Sequence, residues 1–119
     1  MATALNQTTD VLAANRDLVG IFGANEPTAI GMGRAIEQAG RTGTLTAIGF
    51  DGNADFQDMV RSGVLEATAV QGSFQMGELG VRAILDLLTG NTVEPMIDTG
   101  VIMVTKDNIE APEAQNVLY

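Results

Sequence analysis

Ala47-Ile48-Gly49-Phe50-Asp51-Gly52 is an apolar run that stops on a carboxylate and a glycine turn. An uncharged stretch of this length, bounded by turn residues, predicts a buried strand of an α/β sheet. A carboxylate at its carboxyl end stands where open α/β sheets present polar groups to ligands. Two other stretches end in the same way. Leu18 to Gly23 is apolar without alternation and gives way to Ala24-Asn25-Glu26-Pro27, which predicts a strand covered on both faces. Leu65 to Val70 alternates in part, through Glu66 and Thr68, and ends at Gln71-Gly72, which predicts a strand nearer an edge. Asn25, Asp51 and Gln71 are therefore expected together as one face of a small-molecule pocket.

The segments between these strands read as helices. Residues 2–14 place Met1, Leu5, Thr8 and Leu12 on one side, with Asn15 as a stop. No clear N-cap precedes them, so the chain is expected to come from something longer. Pro27 suits the first turn of a second helix, whose inner face is Ala29, Met32, Ile36 and Ala39 and whose end is Gly40. Gly31 and Gly33 each cost that helix about 1 kcal/mol relative to alanine, so they are expected to permit close packing. Asn53 caps a short helix with Phe56, Met59 and Val60 inward and Gly63 as its stop. Ser73 is expected to cap the longest helix, running to Thr89. Its polar residues fall on one narrow stripe, while Met76, Val81, Ile84, Leu85, Leu87 and Leu88 cover much of the remainder. Such a helix expects partners on more than one side. Residues 91–98 form a connector, Thr99 to Thr105 a last buried strand, and the residues from Lys106 a polar tail. The alternation of helix and strand predicts parallel strands with right-handed crossovers, in a three-layer, mostly parallel α/β sheet with flanking helices.

Composition narrows the function. The 119 residues suffice for one core and not for two. With 15 acidic and 6 basic residues, the net charge of -9 repels phosphate backbones and anionic lipids, so no nucleic acid partner is expected. There is no cysteine for a disulfide or thiolate chemistry, and no histidine to act as a general base near neutral pH or as a zinc ligand. The first residues lack the basic and apolar regions of a signal peptide.

An ionised Asp51 offers two acceptor oxygens, which suits the adjacent hydroxyls of a polyol; the plainer reading is a simple Asp-Gly turn. Asn25 and Gln71 carry amides that donate and accept, as sugar hydroxyls do, against the plainer roles of helix cap and loop residue. Asp55 and Asp58, one helical turn apart, are better placed to complement a helix N-terminus than to hold a metal. Gly23-Ala24-Asn25-Glu26-Pro27 has no lysine or paired glycines and is not a phosphate loop. A receiver-like signalling domain would use Asp51 as phosphoacceptor and Lys106 as its lysine, but the acidic pair that holds magnesium is missing. An enzyme would need an acid and a base among Glu26, Asp51 and Asp55. No catalytic residue, metal or cofactor is expected.

Four stretches, taken in order, resemble one family. They are residues 25–36 (Asn-Glu-Pro-Thr-Ala-Ile-Gly-Met-Gly-Arg-Ala-Ile), 48–52 (Ile-Gly-Phe-Asp-Gly), 62–71 (Ser-Gly-Val-Leu-Glu-Ala-Thr-Ala-Val-Gln) and 100–109 (Gly-Val-Ile-Met-Val-Thr-Lys-Asp-Asn-Ile). They are similar to the sugar-binding type I periplasmic binding proteins of the ribose-binding group, solute-binding components of ABC transporters. The resemblance implies a Rossmann- or flavodoxin-like lobe in which Asn25, Asp51 and Gln71 hydrogen-bond a ribose-like aldose and Phe50 contacts its apolar face. Glu26 stands where many members have aspartate. It further implies a periplasmic parent protein that works with a membrane permease and catalyses nothing. Residues 1–119 are then a single incomplete domain, the carboxyl-terminal lobe of a two-lobe protein, with 73–90 packing on the other lobe. Without that lobe, Ser73 to Thr89 is expected to fold back on its own sheet or to be covered by a second copy in a homo-oligomer. The effector domain of a LacI-type transcription regulator shares the fold and is the nearest alternative.

Overall fold

The computed structural model describes residues 1–119. Its elements are α1 (Ala2–Ala14), β1 (Gly20–Phe22), α2 (Glu26–Gln38), β2 (Thr46–Phe50), α3 (Ala54–Ser62), β3 (Ala67–Gln71), α4 (Ser73–Leu88), β4 (Val101–Thr105) and α5 (Pro112–Gln115). One sheet runs β1-β2-β3-β4. The first three strands are parallel, and β4 lies antiparallel to β3, with Gln71 opposite Val101 and Ala67 opposite Thr105. The sheet is thus mostly parallel, and the expectation of parallel strands fails at β4. That strand returns down the sheet after the α4 excursion.

Local sequence explains the helix ends. Asn25 and Asn53 cap α2 and α3 by accepting hydrogen bonds from Thr28 N and Phe56 N. Gly63 ends α3 in the left-handed conformation, φ 79°. The expected cap at Ser73 is not formed: Gly72 is the N-cap of α4, Ser73 is its first helical residue, and no side chain caps this end.

Register and alternation divide the sheet into two faces. Ala47, Gly49, Thr68, Val70 and Val104 lie on the buried one. There a Cβ on Gly49 would meet the Phe56 ring at 2.9 Å and Leu65 at 3.1 Å. Phe22, Ile48, Phe50, Ala69, Val101 and Met103 lie on the opposite, more open face. Three strand placements are therefore corrected. β1 is three residues long, an edge strand with Gly20 and Phe22 exposed, and is not covered on both faces. β4, expected to be buried, is the other edge and exposes Val101 and Met103. β3, expected nearer an edge, is instead central, because Glu66 precedes the strand and Thr68 is buried with its hydroxyl bonded.

Helix α2 is the hub of the covered side. Gly31 admits α1, since a Cβ there would lie 2.7 Å from Met1 O and 2.9 Å from Ala4 Cβ. Gly33 admits α3, since a Cβ there would lie 2.5 Å from Met59 Sδ. The two glycines thus provide the close packing expected of them. Ala29, Ile30, Met32, Ala35 and Ile36 are buried, whereas Ala39, expected on this face, is exposed just before the terminating glycine.

Helix α4 stands apart. None of its residues is buried, and Phe74 and Leu88 are each nearly four-fifths exposed. It does not fold back on its own sheet, as one expectation had it. The radius of gyration, 17.4 Å, exceeds the about 13.5 Å of a compact chain of this length, as a projecting helix requires.

Candidate ligand-binding site

The carboxyl ends of β1, β2 and β3 bring the expected residues to one edge of the sheet. Asp51 follows β2 directly and has φ 84°, the only non-glycine residue in the left-handed region. That conformation costs a side-chain-bearing residue roughly 1–2 kcal/mol and recurs at functional sites. The surroundings hold it in place. Asp51 N donates to Ala69 O at 2.9 Å, and the hydroxyl of the fully buried Thr68 donates to Asp51 O at 2.6 Å. Gly52 then packs so closely that a Cβ would sit 2.8 Å from Leu118 and 2.9 Å from Val70.

Gln71 is the last residue of β3, and its Nε2 donates to Asp51 Oδ1 at 3.3 Å. The carboxylate and the carboxamide therefore meet, leaving Asp51 Oδ2 and Gln71 Oε1 outside that bond. Asn25 is not bonded to either residue. Its Oδ1 accepts from Thr28 N at 3.1 Å and from Thr28 Oγ1 at 2.6 Å, so the plainer capping role is real, and its amide NH2 lies outside the cap. Phe50 is half-buried at the end of β2, on the open face of the sheet beside Asp51.

One further residue at this edge has no signal in the sequence. Tyr119 N donates to Gly52 O at 3.2 Å, and its hydroxyl donates to Glu26 Oε2 at 3.1 Å. The phenol's pKa is raised above the ordinary 10.0 by desolvation first, then by the bond to Glu26 and the negative charges of Asp51 and Glu26, against a smaller lowering from Gly52. Its partners lie 93 and 67 positions earlier in the chain, and no local motif announces that. A spacing pattern alone does not find such a residue.

The acids considered as metal ligands are otherwise engaged. Asp55 pairs with Arg34 at 3.3 Å, and Asp58 approaches Arg61 at 3.9 Å. No group of three or more His, Cys, Asp or Glu residues converges anywhere. A cavity of about 580 Å³ opens between the start of α4 and β4, lined by Gly72, Phe74, Thr99 and Val101 among others. It does not include Asn25, Asp51 or Gln71, and it follows from α4 standing off the sheet. The residues expected from the sequence stand at the strand ends, on an open edge rather than in a closed cavity. The arrangement offers acceptors and donors side by side.

Comparison with known proteins sets this edge in context. Residues 2–92 match the family described as the periplasmic binding protein domain. The D-allose-binding periplasmic protein of Escherichia coli is 32% identical over 93 residues, which are 78% of this chain and 30% of that protein. The ribose import binding protein of Haemophilus influenzae is 37% identical over 93 residues, 78% of this chain and 31% of that protein. The crystal structure of an ABC transporter solute binding protein from Agrobacterium vitis with bound D-fucose is 72% identical. It superposes with a TM-score of 0.95 over 99% of this chain and 41% of that one. The chain spans about a third of the length of the curated relatives it matches.

Proposed function

The chain belongs to the periplasmic binding protein family, and from that premise we propose that it forms one wall of a monosaccharide-binding cleft of an ABC transporter's solute receptor. Asp51, Gln71 and Asn25 hydrogen-bond the sugar's hydroxyls, and Phe50 lies against its apolar face. The observation that carries this reading is the Asp51–Gln71 pair. A carboxylate in a strained left-handed turn, bonded by a carboxamide from the next strand, presents clustered acceptors and donors at the edge where α/β sheets take ligands.

Residues 1–119 act as the carboxyl-terminal lobe, and a second lobe closes over the ligand from the other side. The receptor works in the periplasm, hands its sugar to a membrane permease, and performs no chemistry. Residues 73–90 pack on the second lobe, in keeping with a helix that buries nothing here. Solved relatives hold D-fucose and alpha-D-tagatopyranose, and curated relatives are named for D-allose and ribose, which supports a monosaccharide ligand, and within that class the proposal is a ribose-like aldose.

Half a cleft binds weakly, because ligand pockets gain affinity by burying most of the ligand. We expect this chain to bind D-fucose or D-ribose with a Kd of about 1 mM or weaker, near -4 kcal/mol. Sugar-induced amide shifts by NMR measure it, with Asp51→Asn as the variant that loses binding. Micromolar affinity, or an Asp51→Asn variant that binds as well as the parent, overturns the reading.

A further inference from the structure

We propose that Tyr119 is a positioning residue of the sugar site, tying the Asp51-Gly52 turn to the first turn of α2 and so setting the separation of Asp51 from Asn25. The inference rests on the sugar-cleft reading above and extends it to a residue beyond the four stretches singled out in the sequence, the last of which is residues 100–109.

Asp51 and Gln71 need no intermediary, because they are bonded to each other at 3.3 Å. Asn25 is different. The last hydrogen bond between the β1 and β2 segments is Gly23 N to Ile48 O, at 3.0 Å. Beyond it, no hydrogen bond joins residues 24–28 to residues 49–53. Tyr119 spans that gap with two different groups. Its backbone N–H holds Gly52 O at 3.2 Å, and its hydroxyl holds Glu26 Oε2 at 3.1 Å, one residue from Asn25. Leu118 fixes the approach by packing against the face of Gly52, where a methyl group would lie 2.8 Å from it.

The chain next to each end of this tie is braced. On one side, the Thr68 hydroxyl holds the carbonyl of Asp51. On the other, the Asn25 side chain is locked onto Thr28 at the start of α2. A tie between two braced segments transmits spacing, whereas one between loose segments would not. The phenol must keep its proton to donate, and with a pKa above the ordinary 10.0 it does so throughout the neutral range.

The test is a double-mutant cycle on D-fucose affinity, read by NMR shift titration of the whole chain with Tyr119→Phe, Glu26→Ala and the double variant, and with Asp51→Asn as control. Each single variant is expected to weaken binding by about threefold, the lower end of what one intramolecular hydrogen bond contributes net. The double variant is expected to be no weaker than either single one. The chain has one tyrosine and no tryptophan, so the tyrosinate absorbance reports this residue alone. In Glu26→Ala it is expected to titrate at lower pH than in the parent. Unchanged affinity in Tyr119→Phe, with binding lost in Asp51→Asn, overturns the inference and leaves the sugar site standing. Effects of the two variants that multiply, or a tyrosine titration indifferent to Glu26→Ala, overturn it as well. A parent chain that binds no D-fucose, or binding indifferent to Asp51→Asn, removes the sugar site and the inference with it.

Discussion

Replacing Thr68 by valine removes one hydroxyl at the centre of the sheet and little else. The two side chains have nearly the same volume, so no cavity opens in a position that is fully buried. What is lost is the 2.6 Å hydrogen bond to Asp51 O. A hydrogen bond contributes about 1 kcal/mol net, a carbonyl left without its partner in a half-buried position brings the cost to about 2 kcal/mol, and the buried methyl group that valine adds offsets about 0.8 kcal/mol, leaving about 1.2 kcal/mol. That is roughly an eightfold change in the folding equilibrium, since 1.4 kcal/mol is a factor of ten. Urea unfolding followed by circular dichroism measures it, with a lowered midpoint and an unchanged slope. Thr68→Ser supplies the control, because it keeps the donor and gives up one methyl group, worth about 0.8 kcal/mol. Sugar binding is expected to weaken in the valine variant as well, since the left-handed turn that aims Asp51 loses its brace. A valine variant as stable as the parent, or a serine variant less stable than valine, refutes the idea that Thr68 is kept for its hydroxyl.

Three further outcomes follow from the same geometry. Asp51→Gly frees a residue at φ 84° from a strain of about 1 kcal/mol while loosening the unfolded chain by a similar amount. Its stability should stay within about 1 kcal/mol of the parent in urea, while calorimetry or NMR finds sugar binding gone. Leu85→Lys changes a residue of α4 that is more than half exposed, and its unfolding midpoint should match the parent's to within about 0.5 kcal/mol. Tyr119 has a folded-state pKa above the ordinary 10.0, so the fold favours the protonated phenol. Its contribution to stability is full below pH 10.0 and is lost as pH rises through the folded value. An alkaline absorbance titration, compared in the presence and absence of urea, should show the folded chain titrating at the higher pH.

Residues whose roles depend on their immediate neighbours could be read directly from the sequence. Asn53 before Ala54 to Ser62, Pro27 in the first turn of α2 and Gly63 after α3 act through hydrogen bonds and torsions a few positions away. Asp51 and Gln71 were legible for a related reason, since the end of a buried strand in such a sheet has a known neighbourhood. Strand order was less accessible. Thr68 suggested an edge because a hydroxyl in a strand usually faces water, yet it faces Asp51 O, and only the fold brings those atoms together. Leu18 to Gly23 suggested a strand covered on both faces because apolar residues are what such a strand needs, but composition does not reveal how many strands lie beside it. The direction of β4 escaped because an apolar strand reads the same either way. Tyr119 escaped because its partners, Glu26 and Gly52, are set by the packing of Leu118 and by nothing local.

The register of the last two strands also bears on how forces reach the site. Gln71 and Val101 face each other on one rung, so residues 72–100 leave the sheet and rejoin it at a single point, where Gly72 lies so near Thr99 O that a Cβ would come within 2.7 Å. In mechanical terms the long helix is a lever hinged at one pivot, since no part of it is anchored in the core. A force on the helix enters the sheet at the rung shared by β3 and β4, where Gln71, which holds Asp51, faces Val101. The Gln71 amide is the hydrogen bond between that rung and the Asp51 carboxylate.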